Sequence, residues 1–175
     1  MDFEEFSWAL GDDATIPLLR AAFEKKMSLG DAVHRKLMRD FRLYMLVGGM
    51  PQAVAEYLKT NNLSRVDKRK RDILKLYLED LNKIDPRGKA VMLFKAIPAQ
   101  LTGNAKRYQV SSVIKDDRAD TVSGIVSEMQ ASMCITLSRN VSDPNVGLSI
   151  SEAQDCYTRF VCDTRLIDTL AFWDN

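Results

Sequence analysis

The chain has 175 residues, enough for one domain or two small ones, and 46% of them are hydrophobic, so it can bury a core. Its formal net charge of +1 excludes a strong overall attraction to nucleic acid or to a membrane, and such binding would need a local patch. No apolar run approaches the roughly 20 residues of a membrane span, and the amphipathic, acid-containing N-terminus is not a signal peptide, so we predict a cytoplasmic protein without membrane contact.

Amphipathic segments in the first half of the chain predict a series of helices. Their predicted bounds are Asp2 to Leu10, Thr15 to about Met27, Asp31 to the glycines at 48 and 49, Pro51 to about Thr60, and Ser64 to about Ile84. Thr15 is the predicted N-cap of the second helix. Ser64 with Asp67 resembles a capping box at the start of the longest helix.

The composition changes after Asp85-Pro86, where we predict a boundary between domains of residues 1–85 and 86–175. Further helices are predicted from Lys89 to Ile97, from Ala119 to Ala131 and from Arg165 to Trp173 after a Thr164 cap, while Tyr108 to Ile114 fits a short helix or an edge strand. Cys134 to Val141 and Cys156 to Cys162 alternate and are rich in β-formers, so they should pair around a long loop. The predicted fold is mainly α: a helical bundle, then a winged-helix-like α+β domain with a two-stranded hairpin.

The most informative stretch is FRLYMLVGGMPQAVAEYL, Phe41 to Leu58. Gly48 and Gly49 can end a helix because glycine takes positive φ without steric cost, and Pro51 suits the first turn of the next helix, where its missing N–H is not needed. One interpretation is an ordinary corner between helices. The other is that this corner brings backbone and a flat pyrrolidine ring close to a planar group such as a nucleotide base.

No catalytic or metal site is predicted. The pattern G-x-x-x-x-G-K-[ST] is absent, so the chain alone is not expected to hydrolyse ATP. His34, the single histidine, is interpreted as a solvated surface residue, and the acid pairs Glu4/Glu5, Asp12/Asp13 and Asp116/Asp117 as solvated ends and turns. The cysteines at 134, 156 and 162 are odd in number and lack C-x-x-C spacing, which argues against a disulfide framework or a zinc site and favours buried thiols.

Two groups of cations could neutralise phosphates. In the run Lys68-Arg69-Lys70-Arg71 the four side chains project in different directions around a helix, and Asp67 and Asp72 flank them. We therefore interpret the run as part of a solvated helix face and not as a phosphate site. Within the winged-helix-like domain the nucleic-acid-binding candidates are Lys106, Arg107, Lys115, Arg118 and Arg139. The helix that would read a duplex carries Glu128 among the small polar residues Ser123, Ser127 and Gln130, so contact with a protein is as well supported as contact with DNA.

Several segments together resemble one protein family. They are FRLYMLV with GGMPQAVAEYL up to Leu58, VDKRKRDILKLY at Val66 to Tyr77, and NVSDPNVGL at Asn140 to Leu148. As a set they look like the middle portion of bacterial and archaeal AAA-type ATPases that carry a C-terminal domain of unknown function. The resemblance covers essentially the whole chain, although Ser127 to Ser132 and Cys162 to Arg165 each lack a glycine that relatives tend to have.

The resemblance implies a helical lid followed by a winged-helix-like region, with a P-loop ATPase module before it and a restriction-endonuclease-like module after it. The chain is then expected to be a piece of that larger protein, or a natural truncated product, and not itself an enzyme. ATP and Mg²⁺ would belong to the full-length protein, and the missing modules, DNA or a protein would be the partners. By the same resemblance Gly49 and Pro51, with Gly48 and Met50 beside them, would sense the nucleotide. The alternative is a free-standing nucleic-acid-binding winged-helix protein.

Overall fold

The computed structural model describes residues 1–102, 109, 112–114, 119–143, 145, 147 and 151–173, of which residues 119–121, 152–157 and 164 are described by their backbone. Nearly all described elements are helical. The helices are α1 Phe3–Ala9, α2 Thr15–Glu24, α3 Asp31–Val47, α4 Pro51–Thr60, α5 Leu63–Ile84, α6 Lys89–Lys95, α7 Ile97–Thr102, α8 Ala119–Ala131 and α9 Ile167–Ala171. The strands are β1 Ile135–Val141 and β2 Glu152–Val161. The predicted class, mainly α with a two-stranded hairpin, is confirmed.

Contacts divide the chain into two compact units, Met1–Arg71 and Asp72–Asn175, and the division falls within α5. We call them the N-terminal unit and the C-terminal unit. Asp85 and Pro86 follow the end of α5 and connect it to α6, so the chain on both sides of this turn lies in the C-terminal unit. The proposed domain limits of 1–85 and 86–175 therefore stay a prediction.

The N-terminal unit is held together by a small apolar cluster from α1, α3, α4 and α5. Its buried members are Phe6, Tyr44, Val47, Ala53, Val54 and Val66. The rings of Phe3 and Phe6 lie 5.4 and 5.2 Å from that of Tyr44, a separation that favours aromatic pairing. Met50 and Leu43 pack against the cluster from its edge.

Two helix starts differ from the prediction. Thr15 lies inside α2, and the side chain of Asp12 accepts hydrogen bonds from the backbone N–H groups of Ala14 and Thr15 at 3.2 and 3.0 Å. Ser64 lies inside α5, and Asn62 accepts from the Ser64 N–H at 2.9 Å. In both cases the predicted cap was wrong, because the helix has already begun at that residue and an Asx oxygen two or three residues earlier accepts from N–H groups at the start of the helix.

The C-terminal unit places the predicted α6 and α8 before the hairpin, with α7, which was not predicted as a helix, between them. The segment predicted as one helix from Lys89 to Ile97 ends at Lys95, and Ile97 instead begins α7, whose first turn accommodates Pro98. The predicted segment Tyr108 to Ile114 falls mostly outside the described residues. Helix α8 packs on β1, while α9 packs on α7.

The two strands pair antiparallel, as predicted. Ile135 lies opposite Val161 and Arg139 opposite Tyr157, after which the register shifts so that Val141 lies opposite Glu152. Strand β2 begins before the predicted Cys156, so the connecting loop is shorter than expected.

After the hairpin, residues Thr164–Leu166 form a 3-10 turn, and only then does α9 begin. The carboxylate of Asp163 accepts from the Arg165 N–H, in this turn, at 3.0 Å. The segment predicted as one helix from Arg165 therefore consists of a 3-10 turn followed by a short α-helix.

Candidate functional site

The corner between α3 and α4 has the predicted backbone. Gly48 follows α3 with φ +96°, and its N–H donates to the Tyr44 carbonyl at 2.9 Å, which closes the helix. Met50 is extended, and its carbonyl accepts from the N–H of Ala53 at 2.9 Å. Pro51 is the first residue of α4, where no N–H is required. Gly48, with its positive φ, and Pro51, whose ring fixes φ, therefore set the direction of the corner, whereas Gly49 does not have positive φ.

Burial divides the four nucleotide-sensing candidates into two kinds. Gly48 and Gly49 are buried, and the Gly49 carbonyl accepts from the Met1 nitrogen at 2.7 Å. Met50 is half-buried against the apolar cluster, whereas Pro51 is exposed. The solvent-accessible surface of this corner thus consists of the Pro51 ring and the exposed part of Met50. The two glycines are buried and do not contribute to it.

An open groove of about 420 Å³ begins at Gln52, the residue after Pro51. Its other lining residues are Ala55, Glu56, Lys59 and Arg69. Glu56 lies between two cations, 3.8 Å from Arg69 Nη2 and 3.9 Å from Arg65 Nη1. The groove is within the size range of small-molecule sites and is bordered by both signs of charge.

The cationic run in α5 is not one solvated face, and that interpretation was wrong for Lys70. This side chain is 5% exposed, and its Nζ donates to the Leu46 carbonyl, in the last turn of α3, at 2.5 Å. Arg71 Nε donates to Asp67 at 2.9 Å, while Lys68 is exposed. A positive charge near the carbonyl end of α3 is favourable because the helix dipole is negative there.

A polar cluster connects the start of α2 to α3. Lys36 Nζ contacts the Asp12 carboxylate and donates to Asp40 at 3.0 Å, and the Thr15 hydroxyl donates to Asp12 at 2.5 Å. The Lys36 ammonium and the Thr15 hydroxyl hold the pKa of Asp12 well below its usual value, and Asp12 with Asp40 raises the pKa of Lys36. Asp12 is therefore not a solvated turn residue. The D-D-A-T spacing of an Asx turn was the available signal.

This cluster borders a second open groove of about 810 Å³, which also includes Arg39, Leu43 and Tyr57. Four charges on its wall, those of Asp12, Lys36, Arg39 and Asp40, pair with one another, since Arg39 Nε also donates to Asp40 at 3.0 Å. We therefore assign the cluster to the stability of the N-terminal unit.

Residues 38–175 match a family whose description is "Domain of unknown function (DUF8612)". The chain belongs to the DUF8612 family. The match includes the corner, the groove that begins at Gln52 and the whole C-terminal unit. No curated protein and no solved structure is significantly similar to the chain.

Of the nucleic-acid-binding candidates in this DUF8612 chain, Lys106, Arg107, Lys115 and Arg118 lie outside the described residues. Arg139 is exposed on β1. The exposed residues of α8 include Ser123, Ser127, Glu128 and Gln130. These exposed side chains include an acid, which disfavours close approach to phosphates, so the nucleic-acid interpretation stays a prediction.

His34 is exposed on α3, as predicted. Among the residues that the structure describes, no three His, Cys, Asp or Glu side chains come together in a group that could hold a metal ion. Within the same residues, none of the DUF8612 helices is both long and apolar enough to cross a membrane.

Proposed function

We propose that this chain is a non-catalytic part of an AAA-type P-loop ATPase, in which it senses bound nucleotide and passes that information to a partner. The observation that carries the proposal is Pro51, an exposed ring on a corner whose two glycines are buried. Support also comes from the resemblance of GGMPQAVAEYL to the lid of such ATPases.

The geometry suits recognition of a flat base. Pro51 loses no side-chain entropy on contact, and its ring is apolar, so packing on a planar ring would exclude water at low cost. Because α3 and α4 fix the corner from both sides, a nucleotide would not need to order it. The groove that begins at Gln52 would lie beside the bound nucleotide and supply polar contacts.

In this proposal the phosphates and Mg²⁺ are bound by the P-loop module that precedes this part in the full-length protein. That module would carry out hydrolysis, and this chain would respond to the occupied site. We place the whole protein in the cytoplasm.

For the C-terminal unit we propose contact with a protein, such as the nuclease-like module of the same polypeptide. The exposed side of α8 supports this assignment because its Ser123, Ser127 and Gln130 can hydrogen bond to a protein surface, while Glu128 would repel a duplex.

The test begins with the coding sequence around this chain and the full-length protein that it specifies. We expect Pro51→Ala in that protein to weaken ATP binding about 5- to 10-fold, as is typical for loss of one apolar contact, with little effect on the melting temperature. Isothermal titration calorimetry measures the affinity.

Pro17→Ala is the matched control, because Pro17 is also exposed and lies in the first turn of a helix. It should leave ATP affinity unchanged. Equal affinities for Pro51→Ala and the wild type would contradict the sensing role, and the absence of a P-loop module from the gene and its neighbours would remove the proposal altogether.

A further inference from the structure

Two cysteines lie opposite each other in the register at the base of the hairpin. The antiparallel register pairs Ile135 with Val161, and one step outward it brings Cys134 opposite Cys162. The Cys162 N–H donates to the Cys134 carbonyl at 3.4 Å, so the pairing continues to these residues. The residues are far apart in the chain and have no C-x-x-C spacing, so only the pairing of the two strands brings them together.

Both thiols lie on one side of the hairpin. Residues directly opposite in an antiparallel pair project to the same face, and the Cys162 Sγ lies 3.8 Å from Oγ1 of Thr136, two residues from Cys134. Opposite residues have Cα atoms about 4.5–5.5 Å apart, which falls within the range that a disulfide spans. Both cysteines are free thiols in this structure.

The two thiols differ in access to solvent. Cys134 is 6% exposed, and its Sγ accepts from the Ser132 hydroxyl at 3.4 Å, whereas Cys162 is exposed. The expectation of buried thiols is therefore wrong for Cys162, which lies just after the end of β2. An external reagent can reach Cys162 first, and Cys134 is placed to react with it afterwards.

We propose that Cys134 and Cys162 are a site of reversible disulfide formation by exchange with a low-molecular-weight disulfide such as oxidised glutathione. In the first step the Cys162 thiolate, having lost its proton to water, attacks one glutathione sulfur. A mixed disulfide forms and one glutathione thiolate leaves. In the second step the Cys134 thiol loses its proton to water, and its thiolate attacks the Cys162 sulfur and displaces the second glutathione thiolate. The two glutathione thiolates take up the two protons from water. Two protein thiols are oxidised and one glutathione disulfide is reduced to two thiols.

The disulfide would connect the residues that flank the hairpin. Cys134 lies just after α8, and Cys162 lies just before the 3-10 turn that leads to α9. Cross-linking them closes the hairpin at its base, so the strands could no longer separate from that end. Oxidation would thus stiffen the part of the C-terminal unit that we assign to partner contact, although the exchange chemistry does not depend on that assignment.

The experiment uses the folded chain carrying Cys156→Ser, treated with excess oxidised glutathione and followed by intact-mass spectrometry. We expect a loss of about 2 Da, and peptide mapping should link Cys134 to Cys162. The melting temperature should rise by about 5 °C or more, because the cross-link constrains the unfolded chain, and dithiothreitol should reverse the shift.

Single variants test the order of the two steps. With Cys134→Ala the mixed disulfide should accumulate, adding about 305 Da at Cys162, because no second thiol displaces glutathione. With Cys162→Ser the buried thiol should react at least about 10-fold more slowly. Circular dichroism establishes that each variant is folded.

Three results would overturn the proposal. One is a stable glutathione adduct on Cys162 while Cys134 is still present. Another is a disulfide that forms only in urea. The third, obtained with Cys156 restored, is a preferred link from Cys156 to either of the other two.

Discussion

The two units each place a buried charged side chain at a helix end, and the charges have opposite signs. In the N-terminal unit Lys70 donates to Leu46 in the last turn of α3. In the C-terminal unit the Asp85 carboxylate accepts from the first two N–H groups of α6, at 2.6 Å from Lys89 and 3.1 Å from Ala90. Each charge is opposite in sign to the partial charge at the helix end that it contacts. This attraction offsets part of the free-energy cost of burying the charge.

The two contacts differ in how they arise. Asp85 lies four and five residues before the groups that it binds, so local chain geometry brings them together, and it also accepts from the Arg87 N–H at 3.2 Å. Lys70 lies 24 residues after Leu46, so its contact exists only once α5 has packed against α3. The local contact satisfies several donors at once, while the distant contact with Leu46 depends on packing.

The largest expected effect is at Asp85. Asp85→Ala should lower the free energy of unfolding of the C-terminal unit by about 3 kcal/mol, because three backbone N–H groups lose a charged acceptor in a buried setting. Urea denaturation followed by circular dichroism measures the change.

Asp80→Ala is its control, since Asp80 lies on α5 in an exposed pair with Lys83 and should cost about 0.5 kcal/mol or less. If Asp85→Ala and Asp80→Ala lower the free energy of unfolding by the same amount, the contribution of Asp85 to stability does not depend on its burial.

An intermediate effect is expected at Lys70. Lys70→Met keeps the length of the side chain but leaves the Leu46 carbonyl without this donor, so we expect a loss of about 1–2 kcal/mol from the N-terminal unit. The exposed Lys68→Met on the same helix should change the stability by less than about 0.5 kcal/mol. A Lys70→Met protein as stable as the wild type would show that the contact between α5 and α3 does not depend on this hydrogen bond.

The smallest effect is expected at Asp12, whose side chain is 19% exposed and whose partner Lys36 is 42% exposed. Asp12→Asn should lower the free energy of unfolding by about 0.5–1 kcal/mol at pH 6. The loss is small because solvent screens the interaction between Asp12 and Lys36. The folded-state pKa of Asp12 is lowered, so its contribution is present above the unfolded value of about 3.9 and is lost as the pH falls toward the folded value. The difference between wild type and variant should therefore shrink below about pH 4 in thermal melts.

Asp13→Asn is the neighbouring control and should show no such pH dependence, because Asp13 is exposed. A difference between wild type and Asp12→Asn that stays constant down to pH 2 would mean that the charge of Asp12 does not stabilise the fold.

Much of the fold could be predicted because its signals are local. The stripe Phe41, Tyr44 and the glycine stop at 48 predicted α3 and its end, and the alternating segments after Cys134 predicted the hairpin. The caps predicted at Thr15 and Ser64 were wrong because several nearby side chains could serve as caps and the pattern does not rank them. Of the candidate site, the backbone of the corner was predictable, but which of its residues faces solvent was not.

By itself the sequence determined that residues 48–51 form a corner, since the conformations open to glycine and proline depend on their covalent structure. It likewise determined the mainly helical class and the pairing of the strands, through periodicity. Only the tertiary structure decided that Gly48 and Gly49 are buried while Pro51 is exposed, that Lys70 leaves the solvent, and that Cys134 meets Cys162. These properties depend on which distant surfaces come together, and hydrophobic burial, which drives that association, is not directional enough to be read from neighbouring residues.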